Sequence, residues 1–257
     1  MPRLSQYFLF DPSILRRIVD ASGVGADDTV VEIGPGPGAL TRMLIERAGR
    51  VVAIELDRRL YDGLKKELLP SSERLRLVHG DALKFPYQEL GEFHAVGNIP
   101  YHITTPIIFR LLREPALRSM TLTVQKEVAL RITAKTGCAD YGVLTLSVLY
   151  RAEPRLAFTI PAGAFRPVPK VDSACIHLQV RERPPVAVKD EKLLFELIRE
   201  AFSHRRKTVS NAIKRLCPTP FKEIFSRAGI DPQKRPQNLS LEDFGRLADE
   251  IFKVQKS

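Results

Sequence analysis

The chain of 257 residues is poor in cysteine and lacks any long hydrophobic run. Its three cysteines, Cys138, Cys175 and Cys217, stand far apart with no paired spacing. That argues against a disulfide framework or a thiolate metal site and points to a reducing cytoplasm. The five histidines, His79, His94, His102, His177 and His204, form no i,i+4 pair and no cluster with carboxylates, so no metal is expected. Apolar runs such as Val51-Val52-Ala53-Ile54 fall far short of the ~20 residues a membrane span needs. The opening Met1-Pro2-Arg3-Leu4-Ser5-Gln6 has no apolar stretch before a small-residue cleavage site and does not read as a signal peptide. Internal repeats and low-complexity tracts are also missing. Membrane and secreted classes are set aside, and a cytoplasmic protein is expected.

What is present is an ordinary globular composition, 44% hydrophobic and 27% charged, with a formal net charge of +10. The excess is uneven. Residues 181–257 carry 17 basic against 11 acidic side chains, and residues 1–180 carry 23 against 19. A surplus concentrated in the last third favours a polyanionic partner, nucleic acid first.

Short apolar runs alternate with helical spacing over residues 29–124. Strands are expected at Thr29–Ile33, Arg50–Leu56, Leu75–His79, His94–Ile99 and Met120–Val124. Helices are expected at Ala39–Ala48, at Arg58–Leu69 with a stop at Pro70, at Pro106–Leu112 and from about Gln125 to Ala134. Such alternation implies βαβ units and a parallel sheet. Tyr141–Tyr150 reads equally as helix or strand. Arg155–Ile160 and Ala174–Val180 read as strands around a Pro-rich loop, an antiparallel pair at the sheet edge. Arg181-Glu182-Arg183-Pro184-Pro185 marks a boundary. Beyond it Lys192–Phe202, Lys207–Leu216, Pro220–Ala228 and Leu241–Phe252 have helical spacing, the last capped by Ser240 and Asp243. The expectation is an α/β domain over 1–183 and a small C-terminal all-helical domain over 184–257.

Candidate chemistry collects at the strand ends. Glu32-Ile33-Gly34-Pro35-Gly36-Pro37-Gly38 joins the first strand to the first helix, and glycines there let the backbone approach a ligand. Glu55 ends the next strand about 20 residues on, where a carboxylate accepts both hydroxyls of a ribose. A dinucleotide and S-adenosylmethionine both fit this pattern. Gly80-Asp81-Ala82 ends the third strand and offers a carboxylate beside a backbone N–H for an adenine edge. Asn98-Ile99-Pro100-Tyr101 ends the fourth. Its amide oxygen and the Ile99 carbonyl suit the two N–H hydrogens of an adenine amine. Pro100 fixes the turn, and Tyr101 suits stacking on an extruded base.

These motifs, with Gln6-Tyr7-Phe8-Leu9, Gln125-Lys126-Glu127-Val128-Ala129, the segment Phe165–Ala174, Phe202–Lys207 and Asn238–Glu242, resemble the small-subunit (16S) ribosomal RNA adenine N6,N6-dimethyltransferases, the KsgA-type family. The resemblance spans nearly the whole chain. It implies a Rossmann-like class I S-adenosylmethionine-dependent methyltransferase fold, with S-adenosyl-L-homocysteine as cofactor product. It also implies a cofactor site at Tyr7, Leu9, Gly34, Gly36, Gly38, Glu55, Leu56, Asp81, Ala82 and Asn98. The catalytic set would be Asn98, Ile99, Pro100, Tyr101 and Phe165, the last packing on the target adenine opposite Tyr101. Tyr7 stands where the family usually has Asn or His, Ser5 where Gly is usual, and Ile99 where Leu is typical. The implied substrate is a pair of adjacent adenosines near the 3′ end of small-subunit RNA in a pre-30S particle, met by a monomer. Arg205, Arg206, Lys207, Lys214, Arg215 and Lys170 are the expected RNA contacts, with Arg16-Arg17 and Lys234-Arg235 as possible extensions. The alternatives are the related Erm resistance family acting on large-subunit RNA, and a non-catalytic assembly or transcription factor on the same fold. A dehydrogenase would need a second nucleotide-binding half, which the sequence lacks.

Overall fold

Two β-branched runs, β2 (Thr29–Ile33) and β3 (Arg50–Glu55), form the centre of the computed structural model, which describes residues 6–69, 72–217 and 221–256. Ser5, the helix stop at Pro70 and the helix start at Pro220 lie outside the described residues. Val30, Val31, Val51 and Val52 are fully buried, and each such side chain removed from water is worth about 1.5–3 kcal/mol. β4 (Leu75–His79), β5 (Phe93–Asn98) and β6 (Leu117–Gln125) complete a five-stranded parallel portion in the order β4-β3-β2-β5-β6. β9 (Ser173–Val180) pairs antiparallel with β6, and β7 (Ala152–Ile160) follows it at the edge, as the strand–loop–strand pattern predicts.

From β2 the chain winds one way through β3 and β4, then returns to place β5 on the other side of β2. That reversal leaves a crevice beyond the carboxyl ends of β2 and β5, the usual ligand position in open α/β sheets. Three elements lie outside the sequence expectation. The loop after β7 holds β8 (Phe165–Arg166), which pairs antiparallel with β1 (Phe8–Leu9). α1 (Pro12–Ser22) starts at Asp11, whose carboxylate accepts the Ser13 and Ile14 N–H groups, and ends at Gly23 with φ 69°. Asp-Pro before an apolar run was a readable start signal.

α2 (Ala39–Arg47), α3 (Arg58–Leu68) and α4 (Thr104–Leu111) lie within a residue or two of expectation, as does α5 (Lys126–Ile132). Asp57 caps α3 through the Arg59 and Leu60 N–H groups.

The chain divides into two compact units, and the division departs from the expected single cut at 183/184. The first unit is Met1–Ala129 with Glu153–Arg181; the second is Leu130–Ala152 with Glu182–Ser257. The ambiguous run resolves as the helix α6 (Val143–Arg151). Leu146 and Tyr150 of α6, with Tyr141 just before it, bury in the apolar core built on α7 (Glu191–Ser203), which is why this segment belongs with the helices. The expected helix over Lys207–Leu216 shrinks to α8 (Val209–Ala212), flanked by turns. Its first N–H groups are taken by another loop, Val209 donating to Lys234 O (2.7 Å) and Ser210 to Pro232 O (3.3 Å). α9 (Phe221–Ala228) and α10 (Leu241–Lys256) follow. At α10 the Ser240 N–H donates to Asp243 while the Asp243 N–H donates to the Ser240 hydroxyl, the reciprocal cap that the spacing suggests.

Candidate active site

Glycine backbone builds the floor of the crevice. Gly34 and Gly36 have φ of 67° and 58°, and Gly38, capping α2, has φ 85°. The Gly34 N–H donates to Ile54 O (3.0 Å) and the Gly80 N–H to Glu55 O (2.9 Å), so the tips of β2, β3 and β4 are tied together. A Cβ on Gly36 would meet the Phe8 ring at 2.9 Å, and one on Gly38 would meet Leu64 Cδ2 at 2.6 Å.

Glu55 is 2% exposed, and each of its oxygens accepts one backbone N–H, Oε2 from Gly36 (3.1 Å) and Oε1 from Asp57 (2.8 Å). Burial raises its pKa, and these two bonds oppose the rise. A carboxylate has about four acceptor sites, so two stay available for a diol. Asp81 accepts the Leu83 N–H (2.9 Å), a turn contact that uses one acceptor site, and the Ala82 carbonyl accepts the Tyr87 hydroxyl (2.7 Å).

Two adjoining cavities open here and share Gln6, Gly34 and Pro100. One is walled by Glu55, Leu56, Asp81, Ala82, His102 and Ile103. Leu56 is half exposed and offers an apolar face beside Glu55. The other is walled by Tyr7, Leu9, Glu32, Gly36, Asn98 and Tyr101. Glu32 carries no predicted role beyond preceding the glycines. It is buried, its Oε2 has no hydrogen-bond partner, and burial with the added charge of Glu55 pushes its pKa up to about 8.

The Asn98 Nδ2 donates to the backbone carbonyl of Tyr7 (2.8 Å). A carbonyl only accepts, so this bond sets the amide's orientation and leaves Oδ1 as its free acceptor. The Tyr7 ring lies 5.3 Å from the Tyr101 ring at 33°, and the Tyr101 hydroxyl pairs with Ser173 Oγ (2.6 Å). Burial raises the Tyr101 pKa. Pro100, with φ −53° and ψ 130°, turns the chain between buried Ile99 and Tyr101. Ser173 escaped the sequence reading because it meets Tyr101 across 72 positions.

Phe165 requires a correction. It is fully buried and walls neither cavity, so it presents no face to a base opposite Tyr101. Its pairing with Leu9 across the β1–β8 ladder places it in the apolar cluster with Leu9, Leu15 and Ile18.

In the second unit Arg206, Lys207, Lys214 and Arg215 are exposed. Arg205 is engaged by the protein itself, donating to Ala139 O (2.7 Å) and Tyr141 O (3.1 Å) with its guanidinium over the Phe202 ring. The backbone bonds at Val209 and Ser210 bring the loop of exposed Lys234 and Arg235 beside the start of α8. In the first unit Lys170, Arg16 and Arg17 are exposed, and the Arg17 guanidinium lies 3.9 Å over the Phe158 ring. Among the described residues there is no group of three or more His, Cys, Asp or Glu placed to hold a metal, and no helix long and apolar enough to cross a membrane.

The features of S-adenosylmethionine find matches in these residues. The spare acceptors of Glu55 suit a ribose diol, and Leu56 and Asp81 suit an adenine. The sequence profile of the family described as Ribosomal RNA adenine dimethylase matches residues 1–253. The Ribosomal RNA small subunit methyltransferase A of Clostridium acetobutylicum is 45% identical over 258 residues, covering 98% of this chain and 93% of the relative. A dimethyladenosine transferase structure from Plasmodium falciparum matches with a TM-score of 0.83 at 30% identity, covering 97% of this chain and 98% of that one. The 23S rRNA methyltransferase ErmE matches with a TM-score of 0.75 at 29% identity, covering 95% and 99%. The chain thus belongs to the ribosomal RNA adenine dimethylase family and is an S-adenosylmethionine-dependent rRNA adenine methyltransferase of the class I Rossmann-like fold.

Proposed function

We propose that the protein dimethylates N6 of two adjacent adenosines near the 3′ end of small-subunit ribosomal RNA, acting as a cytoplasmic monomer on an assembling pre-30S particle. The observation that carries the chemistry is the Asn98 amide, held by the Tyr7 carbonyl with Oδ1 free. The 45% identity to a small-subunit methyltransferase supports the choice of subunit.

S-adenosylmethionine, when bound, supplies an electrophilic methyl on a sulfonium. Glu55 and Asp81 would hold its ribose and adenine, and the Gly34–Gly38 backbone and Leu9 would line its path. On the RNA side, Asn98 Oδ1 and the Ile99 carbonyl would each accept one hydrogen of the target amine. That drains the nitrogen lone pair from the ring and lets the nitrogen pyramidalise toward the methyl. Tyr101 would stack on the extruded base. The methylated amine would be left with one proton too many, which would pass to water, so no buried base is required of the protein. Acceleration rests on orientation and on polar groups already in place.

Arg206, Lys207, Lys214, Arg215, Lys234 and Arg235 would contact RNA phosphates, with Lys170 as a contact from the first unit. Arg205 would support the Tyr141 segment. Mass spectrometry of the small-subunit RNA 3′ region, before and after incubation with protein and S-adenosylmethionine, tests the reading. Two neighbouring dimethyladenosines are expected. Methylation of protein-free large-subunit RNA in preference to small subunits would overturn it.

A further inference from the structure

Tyr101 begins a 3-10 turn, Tyr101–Ile103, that runs directly into α4. Its ring is held at two places from distant parts of the chain. At the phenol end, Ser173 Oγ lies 2.6 Å away, and Ser173 is fully buried at the end of the β6–β9 ladder, where it pairs with Gln125. Along the ring, Tyr7 packs at 5.3 Å, within the range of productive aromatic contacts. Tyr7 is itself anchored by the strand that follows it, through Phe8 against Arg166 and Leu9 against Phe165. The main chain of Tyr7 also holds the Asn98 amide. One residue thus touches both groups assigned to the target base, its carbonyl on Asn98 and its ring on Tyr101.

We infer that Tyr7 and Ser173 are positioning residues for methyl transfer, clamping the Tyr101 ring from two sides so that it and the Asn98 amide meet the extruded adenine in one fixed geometry. The inference deepens the reading above and rests on it. The Tyr101 hydroxyl is a tether, committed to Ser173, and takes no part in proton transfer. Misplacing a reacting partner by about 1 Å costs up to a hundredfold in rate, so loss of either hold should appear in kcat. When the Tyr101–Ser173 link is the hold removed, cofactor affinity should stay nearly constant, because Glu55, Asp81 and the glycine backbone are untouched.

The test uses the full chain, small ribosomal subunits and S-adenosylmethionine. Tyr101→Phe and Ser173→Ala each remove one end of the same link. Each should lower kcat about tenfold, leave cofactor affinity within twofold, and give a double variant no slower than either single one. Tyr7→Leu should lower kcat by a similar factor, and Tyr7→Phe, which keeps the ring, should recover most of that loss. With 2-aminopurine at the target position, fluorescence quenching on binding should weaken in Tyr7→Leu and Ser173→Ala. Additive losses in Tyr101→Phe and Ser173→Ala would overturn the tether, as would a kcat for Tyr7→Leu equal to that of the parent. If Ser173→Ala melts too low to assay, Tyr101→Phe interrogates the same bond from its less buried end. A parent enzyme that fails to methylate small subunits sinks the functional reading. A parent that methylates, with variants that match it, sinks only the clamp.

Discussion

Asn98 has two hydrogen-bonding ends and uses one internally. Replacing it with alanine removes the free acceptor without disturbing Glu55 or Asp81. Asn98→Ala should keep S-adenosylmethionine affinity within severalfold by calorimetry and lower methyl transfer at least a hundredfold in a radiolabel assay. Turnover near the parent rate would remove Asn98 from the chemistry. Glu32 gives a pH-dependent prediction. Its pKa rises from an ordinary 4.5 to about 8 in the fold, chiefly through burial. Between those values the folded protein holds a proton that the unfolded chain has released. Its contribution to stability is therefore complete below about 4.5 and disappears as pH climbs through 8. Without cofactor, Glu32→Gln should lose less melting temperature than the parent between pH 6 and 9. Parallel melting curves would show that Glu32 is not held neutral. At this scale the sequence made Asn98, Glu55 and Asp81 readable, because strand-end position and residue type sufficed. It left Ser173 and the Glu32 environment unread, because both depend on neighbours far along the chain.

The elements followed local rules wherever those rules agreed with packing. β2 and β3 were legible from β-branched runs, β4 through β6 from short apolar runs between helical patterns, and α10 from its reciprocal cap. α8 is short although the helical spacing continues: turns replace helix after Ala212, and the Pro232–Lys234 loop accepts the N–H groups at its start. Gly38 shows how one element positions another. Its φ of 85° starts α2, and a side chain there would press on Leu64 of α3. Gly38→Ala should cost roughly 1–3 kcal/mol, from a strained backbone and an overfilled contact, read as a drop of several degrees in melting temperature. An unchanged melting temperature would mean that α3 yields at no cost. β1 and β8 were invisible beforehand because two residues cannot show a period. They nonetheless carry Phe165 into the core and hold Tyr7 at the crevice.

Over the whole molecule, the exposed cations differ in what else they touch. Arg17, Arg205, Arg206 and Lys207 are all exposed, but Arg205 also bonds to backbone and Arg17 also covers an aromatic ring. Reversing charge at Arg206 and Lys207 should weaken RNA binding and flatten its dependence on salt, the logarithmic slope falling by about one for every phosphate no longer neutralised. Arg205→Ala should instead lower melting temperature with a smaller change in salt slope. An unchanged slope after reversal at Arg206 and Lys207 would move the RNA surface elsewhere. Composition, strand periodicity and turn chemistry are local properties, and they were enough for the α/β class, the glycine loop, the carboxylates at the strand tips and the Asn98–Tyr101 turn. Assigning residues 130–152 to the helical unit, sending Phe165 inward and orienting the Asn98 amide required the folded chain. Each of these depends on which distant surface a side chain finds to bury against or bond to, and no short window of residues contains that partner.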